Sequence, residues 1–161
     1  MVTNYFMKTN AVRLLDVKKI PYEMVNYNIN KDNYDAEQIA LDNNIPQHLL
    51  YKTLICMGVD KEIIVAVLPA NKQLSIKKLE KIAGIKQIDL LPTEDLMVKI
   101  GYIRGGCSPI AMKKKFPVYI HSSTAANTTV WINAGKKGIL LKMLLEDIIL
   151  ITDGQLVDIS R

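Results

Sequence analysis

The fold is decided by residues 54–68, Leu-Ile-Cys-Met-Gly-Val-Asp-Lys-Glu-Ile-Ile-Val-Ala-Val-Leu. Two β-prone runs, residues 54–57 and residues 62–68, are separated by residues 58–61, which would form a polar turn. This pattern is typical of a β-hairpin whose turn faces solvent. We expect the hairpin to lie at the centre of a sheet.

Helix and strand signals alternate irregularly on both sides of this hairpin. Helices are predicted near residues 10–20, 35–45, 76–83, 93–100 and 145–151, and further strands near residues 22–29, 117–120, 129–133, 138–143 and 156–159. Asp35 and Gln38 resemble a capping box, and Ser75 is the expected cap of the third helix. Since the order is neither a strict βαβ alternation nor all-β, we predict an α+β fold with helices around a central mixed, barrel-like sheet.

Length and composition are those of one ordinary globular domain, which we expect to span residues 1–161. Of the residues, 49% are apolar and 23% are charged. The chain contains no apolar run of the roughly 18 residues that a membrane helix needs, and its start does not resemble a secretion signal. We therefore expect a cytoplasmic protein. The net charge of +5 favours polyanionic partners without identifying one.

The cysteines and histidines do not form a recognisable reactive or metal-binding pattern. Cys56 and Cys107 lack the spacing of a zinc site, and a reducing compartment would keep both as thiols. His48 and His121 sit in unrelated contexts, and we expect both at the surface. No Ser/His/Asp or Cys/His set appears, and Cys107 has no obvious base near it in sequence. We expect no metal and no cofactor.

The most unusual segment is residues 101–109, Gly-Tyr-Ile-Arg-Gly-Gly-Cys-Ser-Pro. Adjacent glycines permit positive φ angles and let a ligand approach the main chain, so that N–H groups can hold an anion or an oxyanion. A tight loop between packed elements would have the same composition. The sequence alone leaves both interpretations open.

Three further features are candidate binding elements. The turn 133–138, Asn-Ala-Gly-Lys-Lys-Gly, could bracket a phosphate or could be a hairpin with solvated lysines. Lys113, Lys114 and Lys115 could meet RNA or form a solvated face. Lys52 is surrounded by apolar or semi-polar residues, which suggests an ammonium group emerging from a largely buried strand.

Four separated segments together resemble the YbaK/EbsC family of Cys-tRNA(Pro) deacylases. They are Lys8-Thr9-Asn10-Ala11, Tyr51-Lys52-Thr53-Leu54, the glycine-rich segment with the following Met112-Lys113-Lys114-Lys115, and Ala134-Gly135-Lys136-Lys137-Gly138. They occur in the family's order across nearly the whole chain. The resemblance implies the α+β fold of the prolyl-tRNA synthetase editing domain and hydrolysis of mischarged tRNA in trans, with the tRNA acceptor end and prolyl-tRNA synthetase as partners.

The resemblance also implies roles for individual residues. Lys52 corresponds to the family's essential lysine, and Gly105 and Gly106 to its oxyanion site. The aminoacyl group would be bound by Tyr27, Tyr34, Thr53, Ile103, Asn133 and Gly135. The tRNA would be bound by Arg104, Lys113, Lys114, Lys136 and Lys137. Asn133 is a departure, since Cys-specific members often have serine there.

The need for such an enzyme follows from size discrimination. A hydrophobic pocket separates ligands that differ by one methylene by only about 1–3 kcal/mol, so a synthetase pocket that admits proline also admits cysteine and alanine. The family mechanism needs no protein nucleophile, because the substrate thiol attacks its own ester. Two alternatives stay open: an alanine-specific editor of the same fold, and a non-catalytic RNA-binding or synthetase-binding module.

Overall fold

The computed structural model describes residues 8–28 and 35–161. The helices in these ranges are α1 (Asn10–Val17), α2 (Ala36–Asp42), α3 (Ile76–Ala83), α4 (Thr93–Lys99) and α5 (Leu145–Thr152). The strands are β1 (Glu23–Asn26), β2 (Leu50–Met57), β3 (Ile63–Pro69), β4 (Asp89–Leu90), β5 (Val118–His121), β6 (Thr129–Asn133), β7 (Ile139–Leu144) and β8 (Gln155–Val157). A 3-10 turn, Gln47–Leu49, leads into β2.

The described strands form one mixed sheet of eight strands in the order β1-β7-β6-β2-β3-β5-β8, and β4 pairs separately with β2. The predicted hairpin is confirmed, because β2 and β3 are antiparallel from Tyr51 opposite Pro69 to Met57 opposite Ile63. Strand β6 runs parallel to β2, and β5 runs parallel to β3. The hairpin therefore lies at the sheet centre, and the α+β class with a mixed central sheet is confirmed.

Both faces of the central strand β3 are covered. Val65 and Val67 face one core, to which α1, α4 and α5 contribute apolar side chains. Ile64, Ala66 and Leu68 face a second core beneath α3. Burial on both faces explains why residues 63–68 form a continuous apolar run rather than an alternating one.

The helix starts follow the sequence signals in most respects. The Asp35 carboxylate accepts from the amide of Glu37 at 3.1 Å, so Asp35 is the cap of α2. The reciprocal half of the predicted capping box is wrong, because Gln38 donates to Asp42 at 2.8 Å instead. Ser75 caps α3 as predicted. No described helix combines the length and the apolar character needed to cross a bilayer.

His121 corrects the prediction that both histidines lie at the surface, since only 5% of its area is exposed. Its Nδ1 accepts from the amide of Ile159 at 3.2 Å, and its Nε2 lies 3.3 Å from the Ser160 hydroxyl. These contacts hold the end of the chain against β5. Burial lowers the pKa of His121, and the Asp158 carboxylate at 3.7 Å opposes that shift.

We predict that acidification weakens the fold through His121. A histidine whose folded pKa is below the unfolded value of about 6.5 stabilises the protein above that pH and loses this contribution as the pH falls. Protonation would also block acceptance from Ile159. The free energy of unfolding in urea should therefore fall between about pH 7 and pH 5, above the usual carboxylate range.

A matched pair of variants tests whether His121 causes this pH dependence of the free energy of unfolding. His121→Gln should flatten the pH dependence, whereas His48→Gln should leave it unchanged because His48 is exposed. Equal slopes for the wild type and His121→Gln would contradict the assignment.

Candidate active site

The central strand β2 changes partner along its length. Leu50 and Tyr51 pair with β6, whereas Cys56 and Met57 pair with β4 on the same side. Residues 52–55 between these two pairings have no register partner in either strand. The sheet therefore has a gap beside β2, and the gap is bordered by β6, β4 and the loops that follow them.

The backbone of Thr53 faces this gap. In an antiparallel ladder, alternate residues direct both backbone groups to the same neighbour. The Leu50 carbonyl accepts from Ala70 on the β3 side, and the Ile55 carbonyl accepts from Leu91 on the β4 side. Odd-numbered residues of β2 therefore point away from β3, and the N–H and C=O groups of Thr53 are directed into the gap.

A cavity of about 460 Å³ occupies the gap. Its lining combines polar groups with an apolar majority, as is usual for small-ligand sites. The described lining residues are Tyr27, Asp35, Ala36, Ile39, Leu50, Tyr51, Lys52, Thr53, Leu54, Ile55, Leu90, Leu91, Pro92, Thr93, Leu96, Arg104, Gly105, Cys107, Asn133 and Leu140. Six site residues predicted from sequence are thus brought together: Tyr27, Lys52, Thr53, Arg104, Gly105 and Asn133.

Lys52 is the half-buried cation of the cavity wall. Its Nζ donates to the Ala70 carbonyl at 3.2 Å, which holds the side chain across the β2–β3 pair. Burial lowers the pKa of Lys52, while the carboxylates of Glu37 and Asp35 oppose this by favouring the charged form. The ammonium group is therefore partly desolvated and available for a strong interaction with a polar ligand.

The glycine-rich segment reaches the cavity through a tight turn. The Gly106 amide donates to the Ile103 carbonyl at 2.9 Å, and Gly105 has a φ of +83°. A first-to-fourth hydrogen bond with positive φ only at the third residue defines a type II β-turn, which favours glycine at that position. Within residues 8–28 and 35–161, the Gly105 amide donates to no backbone carbonyl.

The structure corrects the expectation that Gly105 and Gly106 both offer open amides. The Gly106 amide is used inside the turn, and Gly106 is absent from the described cavity lining. A methyl group on Gly106 would lie 3.3 Å from the Lys137 amide nitrogen. Gly106 therefore lies where the two loops pack closely, and Gly105 is the candidate donor to a ligand.

Asn133 connects the turn 133–138 to the glycine-rich segment. Its Oδ1 accepts from the amides of Gly135 at 2.6 Å and Lys136 at 3.1 Å. Its Nδ2 donates to the Gly105 carbonyl at 2.9 Å. The side chain therefore lies between the two loops that the sequence marked as candidate binding elements.

Other residues predicted from sequence lie outside the described cavity lining. Gly135 and Lys136 line a second cleft of about 380 Å³, beside the start of α1. Ile103 is 45% exposed, and Lys113 and Lys114 are also exposed. Lys137 packs with its backbone against Gly106. Tyr34 falls outside the described residues.

Several cavity residues were not identified from sequence. Asp35 lines the wall at the start of α2, and Tyr51 and Ile55 line it from β2. The buried hydroxyl groups of Tyr51 and Thr53 have no hydrogen-bond partner within the described part of the chain. Only the alternation of Tyr51, Thr53 and Ile55 along one strand could have indicated a shared face.

The environment of the two cysteines is unfavourable for nucleophilic attack. Both are free thiols and both are buried. Burial raises the pKa of Cys107 to about 11, so this thiol is protonated at neutral pH and is a poor nucleophile. Among the described residues, no group of three potential metal ligands comes together.

Comparison with known proteins identifies the family. Residues 30–150 match the model of the aminoacyl-tRNA editing domain. The chain is 38% identical over 153 residues to a protein of Enterococcus faecalis provisionally named Cys-tRNA(Pro)/Cys-tRNA(Cys) deacylase EbsC, a match that covers 95% of this chain and 93% of that protein.

Solved structures share the fold at low identity. A hypothetical protein superposes with a TM-score of 0.84 at 18% identity, covering 95% of this chain and 100% of that one. A protein provisionally described as a trans-editing enzyme for prolyl-tRNA synthetase superposes with a TM-score of 0.79 at 16% identity, covering 96% and 99%. As its resemblance to YbaK/EbsC predicted, the chain belongs to the aminoacyl-tRNA editing domain family.

Proposed function

We propose that this protein hydrolyses mischarged aminoacyl-tRNA in trans, with Cys-tRNA(Pro) as its principal substrate. The observation that carries the proposal is a single cavity lined by both Lys52 and Gly105 at the open edge of β2. The name of the Enterococcus faecalis relative supports the choice of substrate. We infer further that residues 1–161 act as one editing unit in the cytoplasm.

The cavity has groups suited to an aminoacyl ester. The Gly105 amide, which donates to no described backbone carbonyl, would stabilise the oxyanion that develops on the ester carbonyl. The Thr53 carbonyl, directed into the gap, would accept from the substrate's α-ammonium group. Lys52 would hold the terminal adenosine or its phosphate. Tyr27 supplies an aromatic wall beside the aminoacyl group.

Catalysis would use the thiol of the substrate. The cysteine sulfur attacks its own ester carbonyl, a C–S bond forms, and the C–O bond to the terminal ribose breaks. The thiol proton passes to the departing ribose oxygen, which releases tRNA and a cyclic thioester that water later opens to cysteine. The protein contributes orientation and oxyanion stabilisation. The protonated state of Cys107 agrees with a route that needs no protein nucleophile.

The tRNA body would approach over the cationic surface. Arg104 is exposed at the cavity, and Lys136 and Lys137 lie on the adjoining turn. Exposed Lys113 and Lys114 extend this surface. Each phosphate that these cations neutralise steepens the salt dependence of binding. Prolyl-tRNA synthetase would be the partner that supplies the mischarged tRNA.

We predict that the purified protein releases cysteine from Cys-tRNA(Pro) faster than alanine from Ala-tRNA(Pro). Serine release from Ser-tRNA should be far slower, because serine lacks the sulfur nucleophile. Release of labelled amino acid measures all three rates. Cys107→Ala should release cysteine at nearly the wild-type rate.

Other outcomes would change the assignment. A preference for alanine would identify an alanine editor of the same fold. Rapid serine release would indicate an activated water rather than substrate assistance. Salt-sensitive tRNA binding without any release would contradict an enzymatic function and favour a binding module.

We predict that Lys52→Ala lowers kcat/KM for Cys-tRNA(Pro) about 10- to 100-fold, because a hydrogen bond from a charged donor contributes about 1.5–3 kcal/mol. Lys52→Arg should retain part of the activity, since it keeps the charge. Lys77→Ala is the matched control, because Lys77 is an exposed lysine on α3 outside the described cavity lining. Full activity of Lys52→Ala would refute the role given to this lysine.

A further inference from the structure

Asn133 lies at the end of β6, and its side-chain amide is engaged on both sides. The oxygen accepts from two backbone amides of its own turn, at 2.6 and 3.1 Å. These two donors fix the orientation of the side-chain amide, because the opposite orientation would set an NH₂ group against two N–H groups. The NH₂ group must therefore face the glycine-rich segment.

The NH₂ group of Asn133 binds the carbonyl of the Gly105–Gly106 peptide unit, and the N–H group of the same unit is also hydrogen-bonded. The Gly105 carbonyl accepts from Asn133 Nδ2 at 2.9 Å. The Gly106 amide, in the same peptide plane, donates to the Ile103 carbonyl at 2.9 Å. Because a peptide unit is planar, these two bonds fix its rotation. The preceding peptide, which contains the Gly105 amide, is then set by the type II turn.

The two loops also pack closely around this bond. A methyl group on Gly106 would lie 3.3 Å from the Lys137 nitrogen, and one on Gly135 would lie 3.5 Å from the Tyr102 ring. The first distance is shorter than most real Cβ contacts and the second is an ordinary contact, so the two loops approach each other closely here. The link through Asn133 is therefore part of a packed interface between the loops.

We propose that Asn133 is a positioning residue that orients the Gly105 amide toward the reacting carbonyl, rather than a contact to the aminoacyl group. This inference rests on the proposed deacylase function. Both lone pairs of the Asn133 oxygen and one of its two N–H groups are already used. Although Asn133 lines the cavity, a single N–H group remains for any ligand.

Asn133→Asp separates the hydrogen bonds of the Asn133 oxygen within its own turn from the hydrogen bond of its NH₂ group to Gly105. The aspartate keeps an oxygen that accepts from Gly135 and Lys136, so the turn is preserved. Its second oxygen replaces the donor at the Gly105 carbonyl and repels it. Asn127→Asp, in an exposed turn, is the matched control for the added charge. Asn133→Ala removes both sets of hydrogen bonds and shows whether the turn is needed for folding.

Two measurements then test the proposal. For Asn133→Asp, kcat should fall at least roughly ten-fold, as expected for loss of one hydrogen bond at the transition state, while KM changes little. Hydrogen exchange at the Gly106 amide should be faster than in the wild type, with exchange at Gly135 and Lys136 unaltered. Asn127→Asp should behave as the wild type in both.

Contrary results are distinguishable. A raised KM with unchanged kcat would make Asn133 a substrate contact and overturn the proposal. Unchanged exchange at Gly106 would show that Asn133 does not hold the peptide, and would overturn it as well. If wild-type protein deacylates no aminoacyl-tRNA, the proposed function fails and the positioning role fails with it. Faster Gly106 exchange in Asn133→Asp would then still establish the link between the loops.

Discussion

The arrangement of the site depends on an interrupted edge in the middle of a sheet. Strand β2 has β6 beside its beginning and β4 beside its end, and no strand among residues 8–28 and 35–161 pairs with the interval between them. The N–H and C=O groups of Thr53 face that interval, and a backbone group buried without a partner costs about 1–3 kcal/mol. Apolar side chains therefore cannot close the interval without penalty. It has to hold water or a polar ligand.

The rest of the molecule surrounds this interval with groups of different rigidity. Lys52 lies on the central hairpin, and its Nζ is held by the Ala70 carbonyl. Gly105 comes from a loop, yet the loop is tied to β6 by Asn133 and packed against the following turn. A strand and two linked loops thus hold their polar groups at one cavity. Such preorganisation is what electrostatic stabilisation of a transition state requires.

Local sequence signals were sufficient for the hairpin, for Lys52 in a buried strand and for the unusual glycine-rich segment. They were insufficient where the conformation or burial of a residue depends on residues distant in sequence. Strand β4 consists of two residues, both exposed, and it forms because β2 offers an edge. No local sequence pattern therefore predicts it. The burial of His121 depends on the returning end of the chain. The Gly106 amide is used in a turn, and the composition of the segment alone does not specify the hydrogen bond that closes that turn.

The protonated cysteine in the cavity wall has a chemical consequence for the proposed route through a cyclic thioester. A thioester is readily transferred to a neighbouring thiolate, and an editing enzyme that captured its own intermediate would be poisoned by self-acylation. Because burial raises the pKa of Cys107 to about 11, this thiol stays protonated at neutral pH. The burial that makes Cys107 a poor nucleophile would therefore also protect it from acylation by a thioester in the cavity.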